Sequence, residues 1–319
     1  MRLEDVNVEK EPSIVFMGTP EFSVPVLQAL IENYKVKAIV TQPDKINGRN
    51  NKITFSPVKQ VGIDNTILVL QPANIKEEYE EILALEPDLI ITCAYGQIIP
   101  RELLNYPRLG CINVHASLLP KLRGGAPIHK AIIDGYKVTG VTIMYMDVGM
   151  DTGDMISKVE VPILDSDNLE SLHDKLSEEG TKLLLETLPS ILDGTNSREK
   201  QNEDEVTYAY NIKREEEHVD FSLTSREVFN LIRGLSPMPS ANILLDGNEM
   251  KVYNSCISSR SYSGKVGEIV DVTKEGIVVK TGDGAIVLTE VKPFGKKRMD
   301  ASSYVNGIGA KNLLGKVFE

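Results

Sequence analysis

Ser13-Ile-Val-Phe-Met-Gly-Thr-Pro20, running on into Glu21-Phe-Ser-Val-Pro-Val-Leu-Gln-Ala-Leu-Ile31, is the stretch from which the fold is read. Its apolar run is short and is closed by Gly18, Thr19 and Pro20. From Phe22 onward Val24, Val26, Leu27 and Leu30, with Ile31, favour one helical face. Strand, tight turn and helix are the opening of a βαβ unit. The pattern then repeats. Val36 to Val40 (VKAIV) predicts a second strand, ending in Thr41-Gln-Pro-Asp44, and Ile67 to Leu70 a third. Glu78 to Leu85 predicts a helix, and Asp88 to Cys93 (DLIITC) and Cys111 to Val114 (CINV) two further strands. Gly140 to Tyr145 (GVTIMY) adds another strand, and Leu169 to Leu192 is mostly helical. Short β-rich runs alternating with helices predict an α/β domain with a doubly wound, mostly parallel sheet.

Ser197 to Asn211 (SREKQNEDEVTYAYN) is polar, with little apolar periodicity, and reads as a linker. Beyond it the texture changes. After a helix around Ser225 to Leu235, strand-like runs recur at Ala241 to Leu245, Lys251 to Tyr253, Gly267 to Val272, Gly276 to Thr281 and Ala285 to Glu290. The turn pairs Asp246-Gly247, Glu275-Gly276 and Asp283-Gly284 separate them, which predicts a small antiparallel barrel. The expected organisation is a disordered leader at 1–12, an α/β domain at 13–196, a linker at 197–211 and a β-rich domain at 212–319.

Composition narrows the function classes. With 41% hydrophobic and 25% charged residues in 319, the chain is ordinary globular material for about two domains. No apolar run approaches the roughly 20 residues that span a bilayer, and the charged N-terminus lacks the apolar core of a secretory signal. Cys93, Cys111 and Cys256 are widely spaced, forming neither a disulfide framework nor a zinc site, so a cytoplasmic location is expected. The net charge of −11 argues against generic nucleic-acid binding. That charge is unevenly placed. Residues 212–319 hold 15 Lys and Arg against 14 Asp and Glu, a balance of +1, so the rest carries −12. A basic face on the C-terminal third is therefore compatible with an acidic chain.

In open α/β sheets ligands bind outside the carboxyl ends of the strands. Asn113 and His115 lie at such an end, in Cys111-Ile-Asn-Val-His-Ala-Ser-Leu-Leu-Pro120. Being two apart on an extended strand, their side chains project to the same side. An amide donor beside an imidazole suits oxyanion binding and proton movement. Met146-Asp-Val-Gly-Met-Asp-Thr-Gly-Asp154 follows a strand and carries three carboxylates, any one of which beside His115 would favour the imidazolium. Asp147, Asp151 and Asp154 are also ordinary turn formers. Their spacing lacks the ligand ladder of a calcium loop, and no metal is expected.

Six segments together resemble the methionyl-tRNA formyltransferase family of folate-dependent formyltransferases. They are Ile14 to Phe22, Thr41-Gln-Pro-Asp44 with Gly48-Arg49, Ala94-Tyr-Gly96, Gly110 to Pro120, Arg123-Gly-Gly-Ala-Pro127 and Gly140 to Met155. The resemblance runs in order from about Ser13 to the C-terminus. It implies a Rossmann-like formyltransferase domain followed by an OB-like β-barrel. It also implies formyl transfer from 10-formyltetrahydrofolate to the methionine amino group of initiator methionyl-tRNA, by a monomer. On this resemblance Asn113, His115 and Asp151 are catalytic. Ser117, Leu118, Leu119 and Pro120 match the folate-binding stretch, with Tyr95 and Gly96 and the loop from Val148 to Asp151 enclosing the pterin.

Asp44 to Ser56 (DKINGRNNKITFS) inserts basic residues after a strand, and the resemblance places the tRNA acceptor stem there, on Arg49 with Lys45 and Lys52. Asn50 and Asn51 stand where many relatives carry a denser basic run. In the C-terminal third Lys296, Lys297 and Arg298, with Lys292, form the best cationic cluster, and Lys251 and Lys280 are possible additions. Leu235-Ser-Pro-Met-Pro239 replaces a tryptophan-bearing stretch of relatives, with Met238 able to fill the same apolar niche. The catalytic trio alone would equally fit a formyltransferase acting on glycinamide ribonucleotide or an amino sugar, or a formyltetrahydrofolate hydrolase. A nicotinamide enzyme is disfavoured because Met17-Gly-Thr-Pro-Glu21 holds no G-x-G-x-x-G.

Overall fold

The computed structural model describes residues 11–47 and 52–319. Most of the expected leader, and Arg49 with its neighbours, lie outside the described residues. Two compact units emerge: Met1–Arg123, Gly140–Val161 and Asp174–Thr207 form the first, and Gly124–Thr139, Pro162–His173 and Tyr208–Glu319 the second.

The first unit is built on a seven-stranded sheet. In chain order its strands are β1 (Ile14–Gly18), β2 (Val36–Val40), β5 (Leu68–Leu70), β6 (Leu89–Cys93), β7 (Cys111–His115), β8 (Val138–Tyr145) and β9 (Met155–Pro162). A hairpin of β3 (Lys45–Asn47) and β4 (Lys52–Thr54) stands apart, where the sequence predicted only a loop. The spatial order is β5-β2-β1-β6-β7-β8-β9. The pairings of β2 with β5 and β1, of β1 with β6, and of β6 with β7 are parallel, whereas β7 and β8 run antiparallel. Because β1 is flanked on both edges and covered on both faces, Ile14, Val15, Phe16 and Met17 are all fully buried. A strand in that position needs a continuous apolar run, not an alternating one. Each such side chain contributes about 1.5–3 kcal/mol of transfer free energy.

The turn after β1 explains its glycine. A Cβ on Gly18 would meet the Cys93 carbonyl oxygen at 2.9 Å and Ser23 Cβ at 2.9 Å. The Ser23 hydroxyl donates to that same carbonyl at 2.5 Å, locking the start of α1 (Val24–Asn33) against the end of β6. The helix predicted over Glu78 to Leu85 is regular only across α3 (Glu80–Leu83), the rest being turns. Further helices of this unit are α2 (Pro57–Asp64), α4 (Arg101–Leu104) and, from Asp174 onward, α6 (Leu169–Leu192), whereas α5 (Pro127–Ile133) belongs to the second unit.

The second unit is all antiparallel in its strands: β10 (Ala241–Leu245), β11 (Asn248–Ile257), β12 (Ile269–Val272), β13 (Ile277–Lys280), β14 (Ala285–Lys292) and β15 (Met299–Asp300). They follow the order β10-β11-β14-β13-β12, with β15 against β14, as a barrel-like sheet. The strand predicted over Lys251 to Tyr253 is the middle of the longer β11, which turns back on β10 through Asp246 and Gly247. Its apolar face packs with α7 (Ser225–Leu235) and α8 (Ala301–Ile308) around Val228, Ile232, Val252, Ile286 and Leu288. A reciprocal cap starts α7: Thr224 Oγ1 accepts from Glu227 N, and Glu227 Oε2 accepts from Thr224 N. Buried Arg233 at the other end of α7 donates to the carbonyls of Leu164 at 2.7 Å and Asp167 at 3.0 Å. Those bonds tie Pro162–His173 to this unit.

Among the described residues no helix is long and apolar enough to cross a membrane, and no cluster of three or more His, Cys, Asp or Glu could hold a metal ion.

Candidate active site

Strand β7 presents Asn113 and His115 two residues apart at its carboxyl end, paired with Thr92 and Thr142 on the neighbouring strands. The Thr92 hydroxyl lies 2.8 Å from Asn113 Oδ1 as donor. That bond assigns the oxygen side of the amide to the protein and directs its two N–H donors elsewhere. Asn113 is half-buried, so those donors are reachable.

His115 is 6% exposed. Its Nε2 lies 3.2 Å from the Leu122 carbonyl oxygen, which can only accept, so Nε2 carries a proton. Nδ1 faces Asp151 Oδ2 at 3.7 Å. This is ion-pair distance but longer than a hydrogen bond. The ring is thus fixed through Nε2 while Nδ1 faces the carboxylate.

Asp151 reaches this place from the loop after β8, where its own backbone is left-handed at φ +52°. Such a conformation costs a non-glycine residue about 1–3 kcal/mol, with Asp among the residues that tolerate it best. Of the three carboxylates in the loop, Asp151 is the one the fold brings to His115. Asp147 instead accepts the Val148 N–H at 2.7 Å, the turn-forming role. The loop's close return is possible because a Cβ on Gly153 would sit 1.9 Å from the Tyr145 carbonyl oxygen.

The sequence-predicted folate residues lie on the segments that follow β6 and β7. Tyr95 and Gly96 follow the carboxyl end of β6, Gly96 with φ +91°. The Tyr95 carbonyl accepts from Thr19 Oγ1 at 3.0 Å and Gln42 Nε2 at 3.1 Å, while its ring is buried and its hydroxyl is pushed up to about 12 by that burial. The Ser117 hydroxyl donates to the Lys121 carbonyl at 2.6 Å, and the Ser117 carbonyl accepts from Thr142 at 2.7 Å. Leu119 packs with Met144 and Met155, and Leu118 and Pro120 complete the turn. Ser117 and Leu119 are therefore engaged in shaping the turn. By contrast Val148 and Met150 in the Asp151 loop leave apolar side chains half exposed. A separate cavity of 280 Å³ is lined by Glu77, Glu78, Glu80 and Glu81 with Leu70, Gln71, Pro72 and Ile82. It contains none of the catalytic candidates, and its carboxylates would repel an anionic substrate.

The family profile described as formyl transferase matches residues 13–188, and that described as formyl transferase, C-terminal domain, matches 211–309. A methionyl-tRNA formyltransferase of Bacillus subtilis is 54% identical over 308 residues, spanning 95% of this chain and 97% of its own. One from Macrococcus caseolyticus is 55% identical, over 94% and 96%. The chain belongs to the methionyl-tRNA formyltransferase family. Solved structures share the fold at lower identity. HypX from Aquifex aeolicus in complex with tetrahydrofolic acid has a TM-score of 0.67 at 18% identity, over 94% of this chain and 48% of its own. An N-formyltransferase from Helicobacter canadensis, in complex with folinic acid and dTDP-3-aminofucose, has 0.67 at 21%, over 89% and 100%.

The family's tRNA-side candidates are unequally placed. Arg49 lies outside the described residues, as does the Lys52 side chain, and Lys45 is exposed on β3. Lys297 is exposed, as is Lys296, whose Nζ stands 5.5 Å from the Tyr304 ring centre. Arg298 makes a two-pronged pair with Glu290 at 2.6 and 2.7 Å and stacks over Tyr253. The Lys251 ammonium donates to the Pro239 carbonyl, and that of Lys280 to the carbonyls of Thr281 and Gly284. Lys292, Lys296 and Lys297 thus remain the more available cations, and Phe294 among them is 73% exposed. Met238 is 74% exposed, so it does not fill the apolar niche expected of it.

Residues that the sequence reading passed over also shape the site. The Leu122 carbonyl accepts the His115 Nε2–H hydrogen bond, and Thr92 orients Asn113. Gln201, from the stretch read as linker, donates to the carbonyls of Asp151 at 2.6 Å and Gly153 at 2.9 Å. Nothing in a polar connector marks one glutamine as different from its neighbours.

Proposed function

We propose that the protein transfers the formyl group of 10-formyltetrahydrofolate to the free amino group of methionine on initiator methionyl-tRNA, acting as a cytoplasmic monomer without a metal. What carries the reading is an amide and an imidazole at one strand end, with a carboxylate 3.7 Å from the imidazole Nδ1, in a chain more than half identical to methionyl-tRNA formyltransferases. In the domain scheme that goes with it, 13–196 holds the chemistry and 197–211 connects to an OB-like tRNA-binding domain at 212–319.

The amine nitrogen attacks the formyl carbon and the carbonyl π electrons move onto oxygen, giving a tetrahedral oxyanion. Asn113 donates its amide N–H to that oxyanion, supported from behind by Thr92. Asp151, acting on the amine directly or through one water, takes the proton the nitrogen must lose. The oxyanion then reforms the carbonyl and expels the folate nitrogen, which takes the Nδ1 proton of a doubly protonated His115; the proton held by Asp151 then returns to Nδ1. Leu122 keeps the ring from turning throughout. The pterin lies against the backbone at Tyr95 and Gly96, the turn at Leu118 to Pro120, and the half-exposed Val148 and Met150, an apolar slot with backbone partners. Lys45, Arg49, Lys52, Lys296, Lys297 and Arg298 make the cationic contacts to tRNA phosphates, Arg298 through the face its Glu290 pair leaves open.

Losing one oxyanion donor costs ~10²–10³ in rate. Asn113→Ala is expected to lose that much kcat, and His115→Ala ~10²–10⁴ as the lost proton donor, each while keeping a wild-type circular dichroism spectrum. Wild-type turnover in either folded variant would overturn these roles.

A further inference from the structure

Arg123 is 1% exposed, a fully buried guanidinium in the first unit. A charge so placed requires partners. Its Nε donates to Gln201 Oε1 at 3.0 Å, and its two terminal nitrogens donate to Glu203 at 2.8 and 3.3 Å. Arginine has no acceptor, so the Gln201 amide must present its oxygen to Arg123. Its nitrogen must then face the other way. There it meets two carbonyl oxygens, those of Asp151 at 2.6 Å and Gly153 at 2.9 Å. Both N–H bonds of one amide are therefore used to hold the left-handed turn that carries the Asp151 carboxylate.

The same segment also reaches the other side of the imidazole. Thr207 Oγ1 accepts from Leu122 N at 2.9 Å and Thr207 O accepts from Arg123 N at 2.9 Å. Leu122, left-handed at φ +60°, is the residue whose carbonyl meets His115 Nε2. Residues 201–207 thus secure both backbone positions between which the His115 ring stands.

We infer that Gln201 is a positioning residue for the reaction: oriented by Arg123, its amide fixes the Asp151 turn so that the carboxylate stays opposite His115 Nδ1. This rests on the catalytic reading of Asp151. Gln201→Glu keeps the side-chain length and an acceptor for Arg123, but sets an oxygen against the two carbonyls. Gln201→Leu removes donor and acceptor together. A misplacement of about 1 Å costs on the order of 10²-fold in rate. Each variant is expected to lose ~10- to 100-fold in kcat with the KM for both substrates held within about threefold, because no substrate contact is removed. In an Asp151→Asn background, adding Gln201→Glu is expected to cost less than about threefold more, since residues acting as a unit are non-additive.

Gln201→Glu with kcat within threefold of wild type overturns the inference, as does a loss in the double variant equal to the product of the single losses. Should Gln201→Leu fail to fold, Gln201→Glu carries the same comparison. Wild-type turnover in Asp151→Asn alone would overturn both this role and the site reading beneath it. Loss in Asp151→Asn with none in Gln201→Glu would overturn the positioning role only.

Discussion

Gly153→Ala is the sharpest mechanical test of how the Asp151 loop is held. The Cβ it introduces would lie 1.9 Å from the Tyr145 carbonyl oxygen and 2.8 Å from the carbonyl carbon. Close carbon–oxygen approaches in proteins lie at about 3.3 Å, so a retreat of ~1.4 Å is required. Tyr145 cannot supply it, because it closes β8 in register with Ile112 of β7. The loop must move instead. That motion stretches the 2.9 Å bond from Gln201 to the Gly153 carbonyl and shifts Asp151, two residues away. Overpacking of this kind costs about 1–3 kcal/mol, which in a domain of this size lowers Tm by ~2–4 °C per kcal/mol. A shift of ~1 Å in a catalytic group costs ~10²-fold, so kcat is expected to fall to about 1% of wild type. The assay is steady-state formylation of methionyl initiator tRNA, with thermal unfolding measured on the same preparation. Gly307→Ala is the control: in α8 nothing lies within 4 Å of its added Cβ, and a helical glycine replaced by alanine gains up to about 1 kcal/mol. If Gly153→Ala retained kcat within threefold and Tm within about 1 °C of wild type, the close approach and the reasoning from it would be refuted.

Two other outcomes follow from burial and charge. Burial pushes the Cys93 and Cys111 thiols up to about 12, whereas Cys256 is exposed and only moderately raised by partial burial and Glu275. Ellman titration at pH 8 is expected to find one fast-reacting thiol in the native protein and three in denaturant, and a second fast thiol would contradict the buried placement. Asp88 accepts from Ser13 N at 2.8 Å and Arg108 Nε at 2.6 Å; burial opposes ionisation there, but these bonds outweigh it and hold the carboxyl below its ordinary 3.8. A depressed folded value means stability present above pH 3.8 and lost as pH falls through the folded value. Asp88→Asn is therefore expected to lower Tm by ~2–4 °C at pH 7, for about 1 kcal/mol in this partly exposed pair. The gap should close in melts below pH 3.8. A gap that widened in acid would contradict the pairing.

The sheet was legible because burial on two faces demands runs such as Ile14 to Met17 and Leu89 to Cys93, which differ from amphipathic helices in length and in their closing glycines and prolines. Shorter or more polar elements were not. Strand β9 (MISKVEVP) mixes charge with apolar residues at its exposed edge position, and α5 begins in the glycine–proline run Arg123 to Pro127 that reads as loop. Asn113 and His115 were legible as a pair because a strand has a period of two. Asp151 could be chosen from three loop carboxylates only by resemblance, since which one faces His115 depends on a left-handed turn that no local pattern specifies. Gln201 and Thr207 were illegible for a stronger reason. They meet Asp151 and Leu122 across separations of 50 and 85 residues, and polar side chains in a polar stretch leave no periodic trace. The basic positions were legible as charges but not as availability: Arg298 and Lys280 look alike in sequence, yet one pairs with Glu290 and the other with backbone carbonyls.

The central claim is that this site formylates the amino group of methionine on initiator tRNA. The direct measurement supplies the protein with 10-formyltetrahydrofolate and, in parallel, initiator methionyl-tRNA, elongator methionyl-tRNA, glycinamide ribonucleotide or a nucleotide-linked amino sugar, and follows labelled formyl into each acceptor. Transfer to initiator methionyl-tRNA with little or none to the others is the result expected, with a tRNA KM that rises as salt is added because phosphate contacts release counterions. Transfer confined to the ribonucleotide or the sugar, or release of free formate with no acceptor labelled, would contradict it.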